Sequence, residues 1–400
     1  MHRRVGIEAH LGIGGGTVSR EAAKNLEKAE DLCRRRQPQQ ALPYLKEAMK
    51  DPNNLDAAIQ MAFIMSTRDM GIELLEEAKA QGRAHLKRCL SPTCFDDGDQ
   101  YAERFWSLLE TRPYMRVLQA IVRLAFENND FNKSADTIIE MLRHCPGDNM
   151  GQRDWLGSVL LQAGRTENAL SFSQAWLDPR HDDGSWPPRG GCAFDPPSRA
   201  PLSRDFIENK KQHGPGAHLY TAALASFKLW GDCEVARQYL RIAASANPHV
   251  LLKVLGKVDR PKQLNFDPRS FNGQEAAHDY LWLTQDLWMA PDVWAWADSD
   301  AEVKSYVLKR CTRAGCDTRE VRVAEFKRCG GCKEVVYCGQ ACQKEDWKAH
   351  KPRCKEHQEH KRFMKAIMNS RTTPLSESGG GPIVASADFS AAGISTTFHH

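Results

Sequence analysis

Seven of the chain's 13 cysteines fall within residues 311–354, and no other feature limits the fold so strongly. The remaining six, Cys33, Cys89, Cys94, Cys145, Cys192 and Cys233, are scattered over the first 300 residues. The N-terminus, MHRRVGIEAHLGIGGG, is charged but has no long apolar stretch, so it does not read as a secretory signal. Thiols in a reducing compartment stay reduced. A disulfide framework is therefore a poor account of the cluster, and a metal site is a good one. The same reasoning points to an intracellular location, cytoplasm or nucleus.

The candidate ligands are Cys311, Cys316, Cys329, Cys332, Cys338, Cys342, His350 and Cys354. Eight ligands of this kind make two tetrahedral sites, and thiolate with imidazole suits zinc. Such sites are full, with no position open to water or substrate, so two Zn²⁺ here are expected to be structural. No catalytic residues are assigned, and the chain reads as a non-enzyme. Cys329 and Cys332 form a tight clamp whose two intervening glycines permit a sharp turn. Cys338 with Cys342, and His350 with Cys354, are spaced to share one face of a helix. A segment of 44 residues cannot bury enough apolar area to fold alone. Each zinc would instead supply roughly 10–16 kcal/mol of apparent binding free energy as folding free energy.

The run VVYCGQACQKEDWKAHKPRC resembles the MYND zinc-finger family. Tyr337-Cys338, Cys342-Gln343, Trp347, His350-Lys351 and Cys354 stand where that family has its signature. The first pair departs from it, with four residues between Cys311 and Cys316 where the family usually has two. The resemblance implies a cross-braced topology. Cys311, Cys316, Cys338 and Cys342 would hold one zinc, and Cys329, Cys332, His350 and Cys354 the other. It also implies protein–protein interaction, commonly with proline-containing extended peptides, through Gln343 and Trp347. An aromatic face suits such a ligand, because a preordered extended segment loses little entropy on docking.

Upstream, the signals are helical. Four helix pairs recur, beginning near residues 18, 112, 150 and 216. Each has a small residue early in its second helix, Ala41, Ala135, Ala169 or Ala236. Such a residue lets two helices approach closely. Leu45, Ile139 and Leu240, four residues on, fall on the same face and are expected in the core. Pro52, Pro146 and Pro248 follow as stops. The pattern resembles degenerate tetratricopeptide repeats, which implies a solenoid with a concave face able to bind a second protein. The fold class expected is mostly α, a repeat solenoid followed by a small two-zinc finger, similar to fungal MYND-domain-containing proteins.

The expected boundaries are a disordered N-terminus at 1–16 and a repeat domain at 17–298 interrupted by the Pro/Gly-rich loop 182–204. A connecting helix or linker at 299–310 leads to the finger at 311–354. A short helix and a disordered tail fill 355–400. The Trp-rich stretch 271–297 reads as a capping helix begun by Asn272, and His278 with Asp279 point too far apart to be a catalytic pair. His357 and His360, just past Cys354, are decoys beside the ligand set, and His399 and His400 in the tail are a weak metal signal.

No run approaches 18 apolar residues, so no membrane partner is expected, nor is a small-molecule substrate. Two alternatives stand beside the adaptor. Residues 301–370 carry 17 Lys or Arg against 9 Asp or Glu, which favours a nucleic-acid-associated zinc finger, although no base-reading helix pattern appears. A lysine methyltransferase of the SET class can contain a MYND finger, but its Asn-His-x-Cys run is absent here.

Overall fold

The computed structural model describes residues 7–265 and 269–370, with side chains as far as Phe363. Contacts divide the chain into two compact units that part after Tyr239.

The first unit is helical. It contains α1 (Ile7–Leu11), α2 (Arg20–Arg34), α3 (Pro38–Ala48), α4 (Leu55–Ile64), α5 (Arg68–Cys89) and α6 (Arg112–Glu127). There follow α7 (Phe131–His144), α8 (Arg153–Gln162), α9 (Thr166–Leu177), α10 (Arg204–His213), α11 (Gly216–Trp230) and the start of α12 (Glu234–Ala246). Helices pack on their sequence neighbours, α2 on α3, α4 on α5, α6 on α7 and α8 on α9, and α11 packs on both α8 and α9. The reason is the apolar stripe. Ala41, Leu45 and Ala48 are fully buried on α3, as are Ala135 and Leu142 on α7, Ala169 on α9 and Ala236 on α12. On α7 the stripe differs from the expected one, because Ile138 is fully buried and Ile139 only partly. Ala135, Ile138 and Leu142 are spaced i, i+3, i+7, which is as good a helical face as i, i+4. The pair α4 and α5 carries no Ala–Leu–Pro landmark and escaped the sequence pattern.

One expectation for this unit needs correction. Residues 7–16 are ordered: α1 is followed by a tight turn at Ile13–Gly15. Glu8 is only 2% exposed. Its carboxylate accepts from Arg116 at 2.8 and 2.9 Å, while Arg116 also donates to Asp56 at 2.7 and 2.8 Å. A buried guanidinium shared between two carboxylates holds the segment down, and breaking it would strand a buried charge. The centre of loop 182–204 is likewise fixed. Its turn at Pro188–Gly191 packs on α7 and α9, and Trp176 Nε1 donates to the Gly190 carbonyl at 3.1 Å.

The second unit starts with the rest of α12 and adds α13 (Pro248–Leu255), α14 (Gln274–Trp288), α15 (Pro291–Ser299) and α16 (Ala301–Val307). Pro248 does more than stop α12, since it is the first residue of α13, where its missing N–H costs nothing. Trp282, Trp288 and Trp296 are buried, and Trp294 donates to the Val254 carbonyl at 3.1 Å. The tryptophans thus pack α14 and α15 onto α13. Gly273, rather than Asn272, is the N-cap of α14. Asp279 accepts from the Asn265 backbone at 2.8 Å and His278 meets the Gln263 carbonyl at 2.8 Å, so both are used in holding a loop. Then come strands β1 (Lys327–Arg328) and β2 (Val336–Tyr337) and helix α17 (Gln340–Ser370). The short helix expected after 355 is the end of α17, which runs unbroken from the finger. Residues 1–6 and the tail from 371 lie outside the described residues. No helix among the described residues is long and apolar enough to cross a membrane.

Candidate metal centre

The finger hangs from a minimal ribbon. β1 and β2 pair antiparallel, with Lys327 opposite Tyr337 and Arg328 opposite Val336. The Cys329 amide donates to the Val335 carbonyl at 2.9 Å, and the Thr312 amide to the Val336 carbonyl at 2.9 Å. The loops bearing Cys311, Cys329 and Cys338 therefore leave from one scaffold. The wide gap between the first two cysteines closes through a turn. The Cys316 amide donates to the Arg313 carbonyl at 3.1 Å, and Gly315 sits at φ +76°, where other residues are strained. The Cys311 amide then donates to the Thr318 carbonyl at 2.9 Å.

These constraints gather eight side chains into two groups. The ligand atoms of Cys311, Cys316, Cys338 and Cys342 all lie within 4.8 Å of one another, and so do those of Cys329, Cys332, His350 and Cys354. In the first group the sulfur separations are 3.8 Å for Cys316–Cys338, 3.8 Å for Cys316–Cys342 and 3.4 Å for Cys338–Cys342. In the second, Cys329 Sγ is 3.8 Å from Cys354 Sγ, and Cys332 Sγ is 3.4 Å from His350 Nε2. A disulfide needs about 2.05 Å, so these are free thiols. A tetrahedron with Zn–S bonds of about 2.3 Å has edges of about 3.8 Å, and the observed separations fit that polygon closely. The residues present suit two zinc ions in sites closed by protein donors.

Electrostatics makes the same point. Cys316 is pushed down to about 6, first by the Thr318 hydroxyl, while Cys338 is pushed up to about 12, first by its hydrogen bond with Cys342. Burial pushes Cys329 up, but the backbone N–H of Cys332 and the His350 ring outweigh it and leave the thiol at about 6. Four crowded thiolates repel, so some must keep their protons until a divalent cation replaces them.

The two groups differ in surroundings. Cys329, Cys332, His350 and Cys354 are all buried, whereas Cys338 is exposed and Cys316 and Cys342 are half-buried. Arg313 covers the outer group: its Nε donates to Cys342 Sγ at 3.3 Å and its Nη1 to Glu345 at 2.7 Å. Around the inner group, Gln358 Nε2 donates to Cys354 Sγ at 3.2 Å and Lys361 to the Cys332 carbonyl at 3.2 Å. Donors of this kind orient and stabilise thiolate ligands. Sequence reasoning missed all three residues. The only available signal was Gln358 standing one helical turn after Cys354. The glycine argument also changes. An added Cβ at Gly331 would lie 2.7 Å from Gln358 Nε2 and 3.0 Å from Cys354 Sγ, whereas one at Gly330 would meet nothing within 4 Å. Gly331 is needed for clearance beside a ligand, and Gly330 is not.

Helix α17 carries Cys342, His350 and Cys354, and Cys338 lies in the bend just before it. Pro352 sits inside this helix between two ligands, where it removes one backbone hydrogen bond. The Tyr337 hydroxyl donates to Asp346 at 2.7 Å and ties β2 to the first turns of α17. Gln343 is half-buried and Trp347, one turn further, is 43% exposed. The Trp347 ring stands edge-on to His350, with centroids 6.0 Å apart. His357 is not in either group; its Nε2 is 3.3 Å from Glu334. His360 is in neither group, and His399 and His400 lie outside the described residues.

Residues 309–354 match the MYND finger family. Among curated proteins, one F-box protein from Arabidopsis thaliana is 46% identical over 48 residues, 12% of this chain and 14% of its own length. Another F-box protein from that plant is 50% identical over 48 residues, 12% of this chain and 13% of its own. SET domain-containing protein 14 from Caenorhabditis elegans is 36% identical over 69 residues, 17% of this chain and 14% of its own. The chain thus spans only about one-seventh of the length of these relatives. No solved structure matches.

Proposed function

Because residues 309–354 form a MYND-type zinc finger, a zinc-binding protein-interaction module, we propose that this chain is an adaptor with two binding surfaces. In this reading the finger takes up proline-containing extended peptides on Gln343 and Trp347. The observation that carries it is the half-exposed Trp347 ring, presented between ligands of both metal groups and steadied against His350. A rigid, wet aromatic face is what an extended proline segment needs, since neither side pays much ordering entropy. The helical pairs of the first unit supply the second surface, for another protein partner. The metal ions would act by folding the finger and not by chemistry, because protein donors fill both sites. The relative with a SET domain in its name is matched over 69 residues, too short a stretch to bring a methyltransferase reading here.

The test is affinity capture with the full zinc-loaded chain beside its Trp347→Ala form. The substitution should remove a defined set of partners while zinc content and helicity stay unchanged. An identical partner set from both forms would sink the peptide groove.

A further inference from the structure

One helix face beside Trp347 is neither packed nor paired. Lys344, Lys348, Lys351 and Lys355 recur on α17 at i, i+4, i+7 and i+11, the spacing of a single helical row. All four are exposed, and among the described residues none forms an ion pair or hydrogen bond. Neighbouring acidic residues do not pair with them: Glu345 is taken by Arg313 and Asp346 by Tyr337, and Glu356 and Glu359, one and four residues past Lys355, are exposed and form no ion pair with the row. Trp347 lies three residues after Lys344 and four before Lys351, so the ring borders the row. At about 1.5 Å rise per residue the row is about 16 Å long. An extended peptide covers that in about five residues at about 3.1 Å each.

Resting on the peptide reading of Gln343 and Trp347, we infer that the finger selects acidic peptides: a proline segment on the Trp347 ring, with Asp or Glu side chains within about five residues meeting the lysine row. Charge complementarity chooses the occupant's sign, since four unpaired ammonium groups in a row repel one another until an anion meets them. The ring chooses its class. Single-stranded nucleic acid is held by several aromatic platforms on which successive bases stack, whereas among the described residues Trp347 alone borders the row; Phe363, the other exposed ring of α17, lies eight residues past Lys355. A folded acidic surface would reach the lysines without needing the ring.

The experiment uses the full zinc-loaded chain and two fluorescein-labelled probes, hexaproline flanked at each end by three glutamates and its glutamine-flanked twin. Anisotropy titrations at low and high salt are expected to show the glutamate probe binding about tenfold tighter at low salt, with the advantage vanishing at high salt. The variant Lys344→Gln/Lys348→Gln/Lys351→Gln/Lys355→Gln should keep its zinc, lose that advantage and still bind the glutamine twin. Trp347→Ala should lose both probes. Equal affinity of the wild-type chain for the two probes, at any salt, overturns the acidic preference alone and needs no variant. Failure of both probes overturns the proline reading beneath it. A labelled twelve-residue oligothymidine that binds more tightly than either peptide, through the same lysines, overturns the assignment in favour of nucleic acid.

Discussion

The helical first unit and the finger are stabilised by different means. The helices bury long apolar stripes, with residues such as Leu26, Leu118, Leu156 and Leu219 fully enclosed. The finger's buried cluster contains Phe326, Val336 and Tyr337, and its other buried members are Cys311, Cys329, Cys332 and Cys354, all four of them candidate metal ligands. Without metal the finger would lose the contacts that define its core, while the first unit's core is built of apolar side chains that need no ion. The lesson is that one chain can hold two folding units whose stabilities respond to unrelated variables.

Chelation should break the comparison most visibly. Each structural zinc is worth on the order of 10–16 kcal/mol of apparent folding free energy, so a strong chelator should unfold residues 309–354 and leave the helical signal of the first unit in place. Metal analysis before chelation should find two zincs per chain; a value near one would reject the two-site arrangement. Limited proteolysis after chelation should cut within the finger first.

The converse change is a cavity in the helices. Leu156→Ala removes a fully buried side chain and should cost about 2–5 kcal/mol, measured by urea unfolding of the far-UV signal. Zinc content should not change. A loss of zinc would show that the two units are not independent.

Acid separates them in another way. Burial pushes His144 down to about 4 and His218 down to about 3, both below the ordinary 6.5. Below pH 6.5 the unfolded chain binds protons at these histidines and the folded chain does not, so stability falls as pH drops from 6.5 towards 4. Asp148, pushed up to about 6 by burial, works against this, because its folded form binds a proton first. Two histidines against one carboxylate leave a net loss of roughly 2 kcal/mol between pH 7 and 5. His218→Asn should flatten the curve of urea midpoint against pH. An unchanged slope would remove His218 from the account.

The smallest effect separates two adjacent glycines. Gly331→Ala forces a Cβ against Cys354 and Gln358 and should weaken zinc retention by about tenfold, roughly 1.4 kcal/mol. Gly330→Ala should be nearly silent in the same competition against a chromogenic chelator. Equal behaviour of the two would refute the clearance argument.

Much of this was legible before the fold was known, for a physical reason. Metal ligation demands particular side chains at short spacings, and helix packing demands a period, so both leave local marks on the sequence. The Cys/His set and the buried alanines at 41, 135, 169 and 236 are of this kind. What escaped was non-local or steric. Glu8 meets Arg116 across 108 positions, which no window of the sequence reveals, and composition alone made residues 7–16 look unstructured. Trp176 and Gln174 pin a Pro/Gly-rich loop by hydrogen bonds to Gly190 and Ser198. Helix α17 continues past Pro352, where propensity would end it; ligands on either side of the proline give the turn another reason to persist.

That helix has one more consequence. It contributes Cys342 to the outer group and His350 with Cys354 to the inner one, so both ions would grip the same rigid rod. Whichever ion arrives first fixes the rod and raises the effective concentration of the remaining donors for the second. Half-loaded molecules should then be scarce, and the finger should respond to rising zinc as a threshold rather than a gradual titration.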